Sequence, residues 1–173
     1  MRIQRTEDDH ISFIIIDGYN LIGTCHSNLA EQRQDLIRLL SEYKKVKGHD
    51  ITLVFDGWKS GSNKEESRTI GGVRVVYSRL GEKADLVVKG IISQERKEWI
   101  VVSSDREIAA YAWACGSVPV SSERFQSILE NSGSFLQGDY DPLCEEEGPA
   151  QRKGSSRMAS KREKALSRAL KKL

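Results

Sequence analysis

Short apolar runs alternate along most of the chain with longer stretches in which apolar residues recur every third or fourth position. Residues 12–16, 51–55, 73–77, 99–102 and 117–120 are compact and rich in Ile and Val, and each reads as a strand. Between them, residues 29–47 carry Leu36, Ile37, Leu39, Leu40 and Tyr43 on helical spacing and stop at Gly48. Residues 82–96 read as a helix with Leu86, Val87, Ile91 and Ile92 inward. Residues 106–114 form an Ala-rich helix closed by Gly116, and Ser121-Ser122-Glu123 can cap a last helix through Leu129. Residues 57–72, full of Gly, Ser, Asn and charge, read as a long loop.

Strands separated by helices imply right-handed crossovers and a mainly parallel sheet, here of five strands. Their near-continuous apolar character implies a sheet covered on both faces, an α/β architecture. From about Asn131 the pattern fails. The expected organisation is one domain over residues 1–131, a linker over 132–159, and a basic amphipathic helix over 160–173. Ala165, Leu166, Ala169, Leu170 and Leu173 supply the spacing of that helix.

Charge sharpens this division. The 173 residues carry a net charge of +2, but residues 151–173 hold nine Lys or Arg and one Glu, so the first 150 residues form an acidic body. No apolar run approaches the ~18 residues of a membrane span, and the N-terminal residues lack the apolar region of a signal peptide. Cys25, Cys115 and Cys144 form no CxxC pair, so neither a disulfide framework nor a zinc site is supported, and a cytoplasmic location is expected.

The candidate chemistry lies in where the acids fall. Asp17, Asp56 and Asp105 each follow a strand directly, and Asp85 opens the second long helix just after the third strand. In a parallel sheet the carboxyl ends of the strands share one edge, where ligand sites form, so these four should converge. Clustered carboxylates repel unless a cation intervenes, and an oxygen-rich cluster suits magnesium or manganese (Mg²⁺ or Mn²⁺). Asn20, three residues after Asp17, could orient a water or a carboxylate, and Ser104 could bond an acid or a phosphate. The competing structural reading is that Asp-Gly makes turns and that Asp105 is a helix N-cap. No GxSxG elbow or GxxxxGK[ST] loop is present, which argues against a serine hydrolase and a nucleotide triphosphatase.

The segments IIIDGYNLIG, LVFDGW, VRVVYSRLGEKAD and VVSSDREIA resemble, in order and spacing, the YacP-like branch of the NYN domain family, within the PIN-like ribonuclease superfamily. The resemblance implies a three-layer α/β/α sandwich and a hydrolase acting on phosphodiester bonds. The implied activity is that of a divalent-metal-dependent endoribonuclease cleaving single-stranded RNA by metal-activated water. It places Asp17, Asp56, Asp85 and Asp105 as catalytic and metal-binding residues, with Asn20 and Ser104 in support. It also shows a departure: relatives often have a second acid where this chain has Leu86, and a Glu near the position of Lys89. A non-catalytic RNA-binding or ribosome-associated module on the same fold is the alternative. A phosphorylated receiver domain, which wants paired acids after the first strand, fits less well because Gly18 follows Asp17.

RNA is the expected partner, with mRNA on the ribosome as one candidate, and no membrane partner is expected. Trp58, Lys59, Lys64 and Arg68 of the loop after the second strand could hold phosphates and stack a base. Arg162, Lys164, Arg168, Lys171 and Lys172 form the basic arc of the last helix, for which RNA binding is the first reading, docking on the acidic body the second and a membrane surface the third. His10 and His49 are expected at the surface, and Cys115 in packing.

Overall fold

The computed structural model describes residues 11–23, 28–57, 64–132 and 160–173. Its centre is a six-stranded sheet. In chain order the elements are β1 (Phe13–Asp17), α1 (Gly18–Ile22), α2 (Leu29–Lys47), β2 (Asp50–Phe55), β3 (Glu66–Ile70), β4 (Val73–Tyr77), α3 (Ala84–Glu95), β5 (Trp99–Val102), α4 (Arg106–Ala114), β6 (Val118–Val120), α5 (Ser122–Asn131) and α6 (Lys161–Lys172). The strand order is β3-β4-β2-β1-β5-β6, and every pairing is parallel except β3 with β4.

Strand periodicity sorts the core into two layers. Ile14, Ile16, Leu53, Phe55, Val75, Ile100 and Val102 point to one face, where Leu40 and Tyr43 of α2 and Phe125 and Leu129 of α5 cover them. Ile15, Val54, Val76 and Val101 point to the other, under Val87, Val88, Ile91 and Ile92 of α3 and Ile108 and Ala112 of α4. The three-layer α/β/α sandwich expected from the motifs is therefore present, with one more strand than expected.

That strand is β3, in the segment read as loop. Its burial pattern explains why it is hidden: Ser67, Arg68, Thr69 and Ile70 are exposed, so no apolar face marks it. It is held by pairing with β4 across Gly71-Gly72, both at positive φ.

The C-terminal helix docks. Ala169 and Leu173 belong to the first core layer, with Ala165, Leu166 and Leu170 packed against it. The Tyr43 hydroxyl donates to the Leu173 carbonyl at 2.7 Å, and His49 Nε2 lies 2.9 Å from the Lys172 carbonyl. His49, expected at the surface, is buried, because its ring fills the seam between the end of α2 and the end of α6. Cys115, expected in packing, is exposed at the C-cap of α4. Residues 133–159 of the proposed linker, His10, Cys25, His26 and Cys144 lie outside the described residues.

Candidate functional site

Parallel strands β4-β2-β1-β5-β6 place the reversal of strand order between β1 and β5, because α3 carries the chain from β4 back across the sheet to β5. The carboxyl ends of β1 and β5 are thus the expected ligand edge. Asp17 closes β1, and Ser103-Ser104-Asp105 follows β5.

Each strand-end acid reaches the start of a helix. Asp17 Oδ1 accepts from Asn20 N–H at 3.3 Å and caps α1. Asp105 Oδ1 accepts from Glu107 N–H at 2.7 Å and Ile108 N–H at 3.4 Å and caps α4. Asp56 caps at long range: its Oδ1 accepts from Ala84 N–H, the first residue of α3. The structural and functional readings of these acids therefore coexist. Capping uses Oδ1 in all three, and Oδ2 of each has no hydrogen-bond partner among the described residues. Partial positive charge at three helix N-termini is focused on one edge.

The motif glycines are explained by close approach. A Cβ on Gly18 would lie 2.3 Å from the Phe55 ring, and one on Gly57 would lie 1.6 Å from the Ser78 carbonyl oxygen. Gly57 N–H also donates to Ser78 Oγ at 2.9 Å. Asp17 and Asp56 are each followed by glycine because α1 and the β4–α3 turn pack directly onto β2.

The acids feel one another. The Asp17 carboxyl is pushed up to about 6, first by burial and then by the negative charges of Asp56, Asp105 and Asp85, against the opposing Asn20 hydrogen bond. Asp85, in the first turn of α3, has a buried Oδ1 with no partner. Its Oδ2 is 3.5 Å from Lys89 Nζ. Leu86 beside it, expected to face inward, is exposed, because Val87, Val88, Ile91 and Ile92 form the buried face of α3.

Asn20 is a brace between strands. Its Oδ1 accepts from Ser104 N–H and from Ser122 Oγ–H, both at 2.7 Å. The Ser104 hydroxyl lies 3.0 Å from Glu123 Oε1 and accepts from Ser122 N–H at 3.1 Å. Glu123 is held below its usual range, first by its own backbone N–H and then, against a burial penalty, by the Ser121 and Ser104 hydroxyls. Ser122, Glu123 and Tyr19 are site neighbours that the sequence reading missed, and Lys89, noted there only as a departure from relatives, joins them. The Tyr19 hydroxyl is buried, and burial raises it above its ordinary value, with Arg33 opposing and Asp56 adding. The signal for Tyr19 was available inside DGYN itself; for Glu123, and for the contacts of Lys89, only the fold supplies it.

Among the described residues, no three His, Cys, Asp or Glu side chains form a ready-made metal cage. The donor set nonetheless fits magnesium or manganese. Magnesium usually takes one or two carboxylates and keeps several waters, and here the orphaned Asp85 Oδ1 and the bare Oδ2 atoms are hard oxygen donors on one edge.

The RNA-contact candidates divide. Lys64 and Arg68 are exposed around the start and middle of β3, where Arg68 pairs with Glu66 at 3.2 Å, while Trp58 and Lys59 lie outside the described residues. The α6 cations are not brought to the acids. Arg162 stacks over Trp113 at the end of α4, and Arg168 and Lys172 line a cavity of about 410 Å³ with Phe13, Trp99 and Val118. Those strand residues begin β1, β5 and β6, so α6 lies along the amino edge of the sheet, opposite the acids.

A family model described as the YacP-like NYN domain matches residues 14–171. The chain belongs to the YacP-like NYN domain family. The match takes in α6 as well as the sheet. Two crystal structures of Rae1 (YacP) from Bacillus subtilis, one of them a point mutant, are similar in fold. Each is 21% identical over 70% of this chain, with TM-scores of 0.57 and 0.56 and coverage of 75% and 76% of the respective relative. Comparison with curated protein sequences gives no match. NYN domains are nuclease-like and associated with RNA, and this chain has that fold. Among the described residues, no helix is long and apolar enough to cross a membrane.

Proposed function

We propose that this chain is a divalent-metal-dependent endoribonuclease that cuts single-stranded RNA at the carboxyl edge of its sheet. The observation that carries the reading is the convergence of Asp17, Asp56, Asp85 and Asp105, close enough that the other three charges help to raise the Asp17 carboxyl. A magnesium or manganese ion, when bound, supplies positive charge for the scissile phosphate and lowers the pKa of water. Asp17 and Asp85 are the residues to hold it, since Asp85 Oδ1 is buried without a partner and the Asp17 carboxyl is raised by burial and then by the charges of the other three acids.

The chain's own groups do the rest. Asp56 and Asp105 fix the starts of α3 and α4 at the carboxyl edge. Asn20 locks the β5–α4 turn and the start of α5 against α1, so the carboxylates keep their spacing when phosphate arrives. Lys64 and Arg68 offer phosphate contacts on the β3 side.

The test is cleavage of a single-stranded RNA with Mg²⁺ or Mn²⁺ and with chelator, reading the ends produced. Water attack leaves a 5′-phosphate and a 3′-hydroxyl, and Asp17→Asn abolishes cleavage. Metal-independent cleavage, or full activity in Asp17→Asn, sinks the reading. The absence of a ready-made three-ligand cage among the described residues favours a second reading, a non-catalytic RNA-binding module on this fold. It predicts salt-sensitive RNA binding with no turnover in any metal, unchanged or slightly tighter in Asp17→Asn.

A further inference from the structure

Lys89 stands where the acid edge would otherwise be most negative. It lies one helical turn after Asp85, and its Nζ is 3.5 Å from Asp85 Oδ2 and 3.6 Å from Glu107 Oε2. An ordinary i,i+4 pair lies on a solvated surface and stays within its own helix. Here the lysine side chain is only 22% exposed and reaches a second helix, where its partner Glu107 is 82% exposed. Asp85 is in the first turn of α3 and Glu107 in the first turn of α4. The ammonium therefore ties together two helix starts whose capping acids are Asp56 and Asp105. Asp85 is loaded unequally as a result: Oδ2 faces a fixed cation, while Oδ1 is buried and unpartnered.

Two-metal phosphodiester sites hold their ions about 3.5–4 Å apart, bridged by shared acids. Nζ, within 4 Å of a carboxylate oxygen on Asp85 and of one on Glu107, holds these two acids with a unit positive charge. An ammonium is a compact point charge with three donors, so it can neutralise two carboxylates and still offer an N–H to a phosphate oxygen.

We propose that Lys89 is a resident counter-ion that takes the place of a second divalent ion beside Asp85 and Glu107, so that the site loads one ion rather than two. The inference rests on the metal-dependent nuclease reading and goes beyond it by fixing the stoichiometry. Lys89 acts as a positioning residue: it holds two carboxylates and repels any further cation from them.

The probe is Mn²⁺, titrated into the full-length chain and followed by calorimetry and by loss of the free-ion electron paramagnetic resonance signal. The wild type binds one Mn²⁺ per chain. Lys89→Glu binds two. Lys89→Gln, which removes the ammonium without adding a carboxylate, also admits a second ion, more weakly than Lys89→Glu does, and a Lys89→Gln titration identical to wild type overturns the inference. Lys89 is outside both core layers, and thermal melts of the two variants verify that they fold. Two ions in the wild type overturn the inference, as does a Lys89→Glu titration identical to wild type. Cleavage assays on the same samples separate the two claims. Mn²⁺-dependent cleavage lost in Asp17→Asn, beside an unchanged Lys89→Glu stoichiometry, refutes only the role of Lys89. No Mn²⁺ bound and no RNA cut by the wild type refutes both.

Discussion

Asp17, which the proposed function makes catalytic, shows why a buried carboxylate is a liability to the fold that holds it. Its carboxyl is raised from 3.8 to about 6, chiefly by burial. A raised acid favours the protonated folded state, so its ionisation weakens folding. The contribution is fully present below about pH 4 and is lost as pH climbs through about 6. The penalty above that window is on the order of 2–3 kcal/mol at most. Asp17→Asn keeps a side-chain oxygen for the α1 cap and removes the charge. It should raise stability at pH 8 by about 1–2 kcal/mol, leave it little changed at pH 4, and lower RNA cleavage by at least about 100-fold. Urea melts at the two pH values, with a cleavage assay at pH 8, check all three. Mg²⁺ should raise the melting temperature of the wild type at pH 8 more than that of the variant, because a bound cation relieves the same repulsion. Gly57 makes the complementary point about space. Gly57→Ala puts a methyl into the Ser78 carbonyl and should cost about 3 kcal/mol or more, seen as a loss of soluble, cooperatively melting protein.

At the scale of elements, what could be read from sequence depended on whether burial left a pattern. The parallel strands are apolar on both faces, and α2, β4, β5 and α4 fall on the residues expected. β3 was invisible because four of its five residues face water and, among the described residues, it pairs with β4 alone. The placement of Asp17, Asp56 and Asp105 was legible because parallel topology brings the residues that end or follow the strands to one edge, and that of Asp85 because it opens the helix after β4. Glu123 and the contacts of Lys89 were not, since a first-turn Glu and an i,i+4 pair look like surface chemistry until α3, α4 and α5 are seen in place; Lys89 stood out only as a departure from relatives. Asn20 belongs to both classes: its place in DGYN was visible, its bonds to Ser104 and Ser122 were not. Asn20→Ala removes the acceptor for both donors and leaves the Ser104 N–H and Ser122 hydroxyl unpaired. A loss of about 2–3 kcal/mol follows, with faster amide exchange at Ser104 and Ser122, whereas Asn20→Asp, which keeps the acceptor, should recover most of the stability.

Over the whole molecule, the two charge poles of the chain occupy opposite ends of one sheet. Acids crowd the carboxyl edge, while α6 lays its cations along the amino edge and its apolar side in the core. This separation changes how an RNA role for α6 has to be tested. Deleting residues 160–173 would expose the surface covered by Ala169 and Leu173 and orphan the Tyr43 hydroxyl, so it would lower the melting temperature and confuse lost folding with lost binding. Changing Lys164, Arg168, Lys171 and Lys172 to Gln removes charge from exposed positions and keeps the buried face. Surface pairs contribute little to stability, and none of these four side chains has an ion pair among the described residues, so the melting temperature should hold within about 2 °C. If α6 carries RNA, the slope of log affinity against log salt should become shallower by about 0.7 for each single-strand phosphate that is no longer neutralised. Because the strands are five residues or so long, the edges are separated by about 15 Å, a span of several nucleotides. Long RNAs that reach both edges should therefore lose affinity and cleavage in the quadruple variant, while oligonucleotides too short to bridge the sheet should be cut at the wild-type rate. Equal losses on short and long RNAs would mean that α6 acts on the acid edge through the fold and not as a second foothold for the substrate.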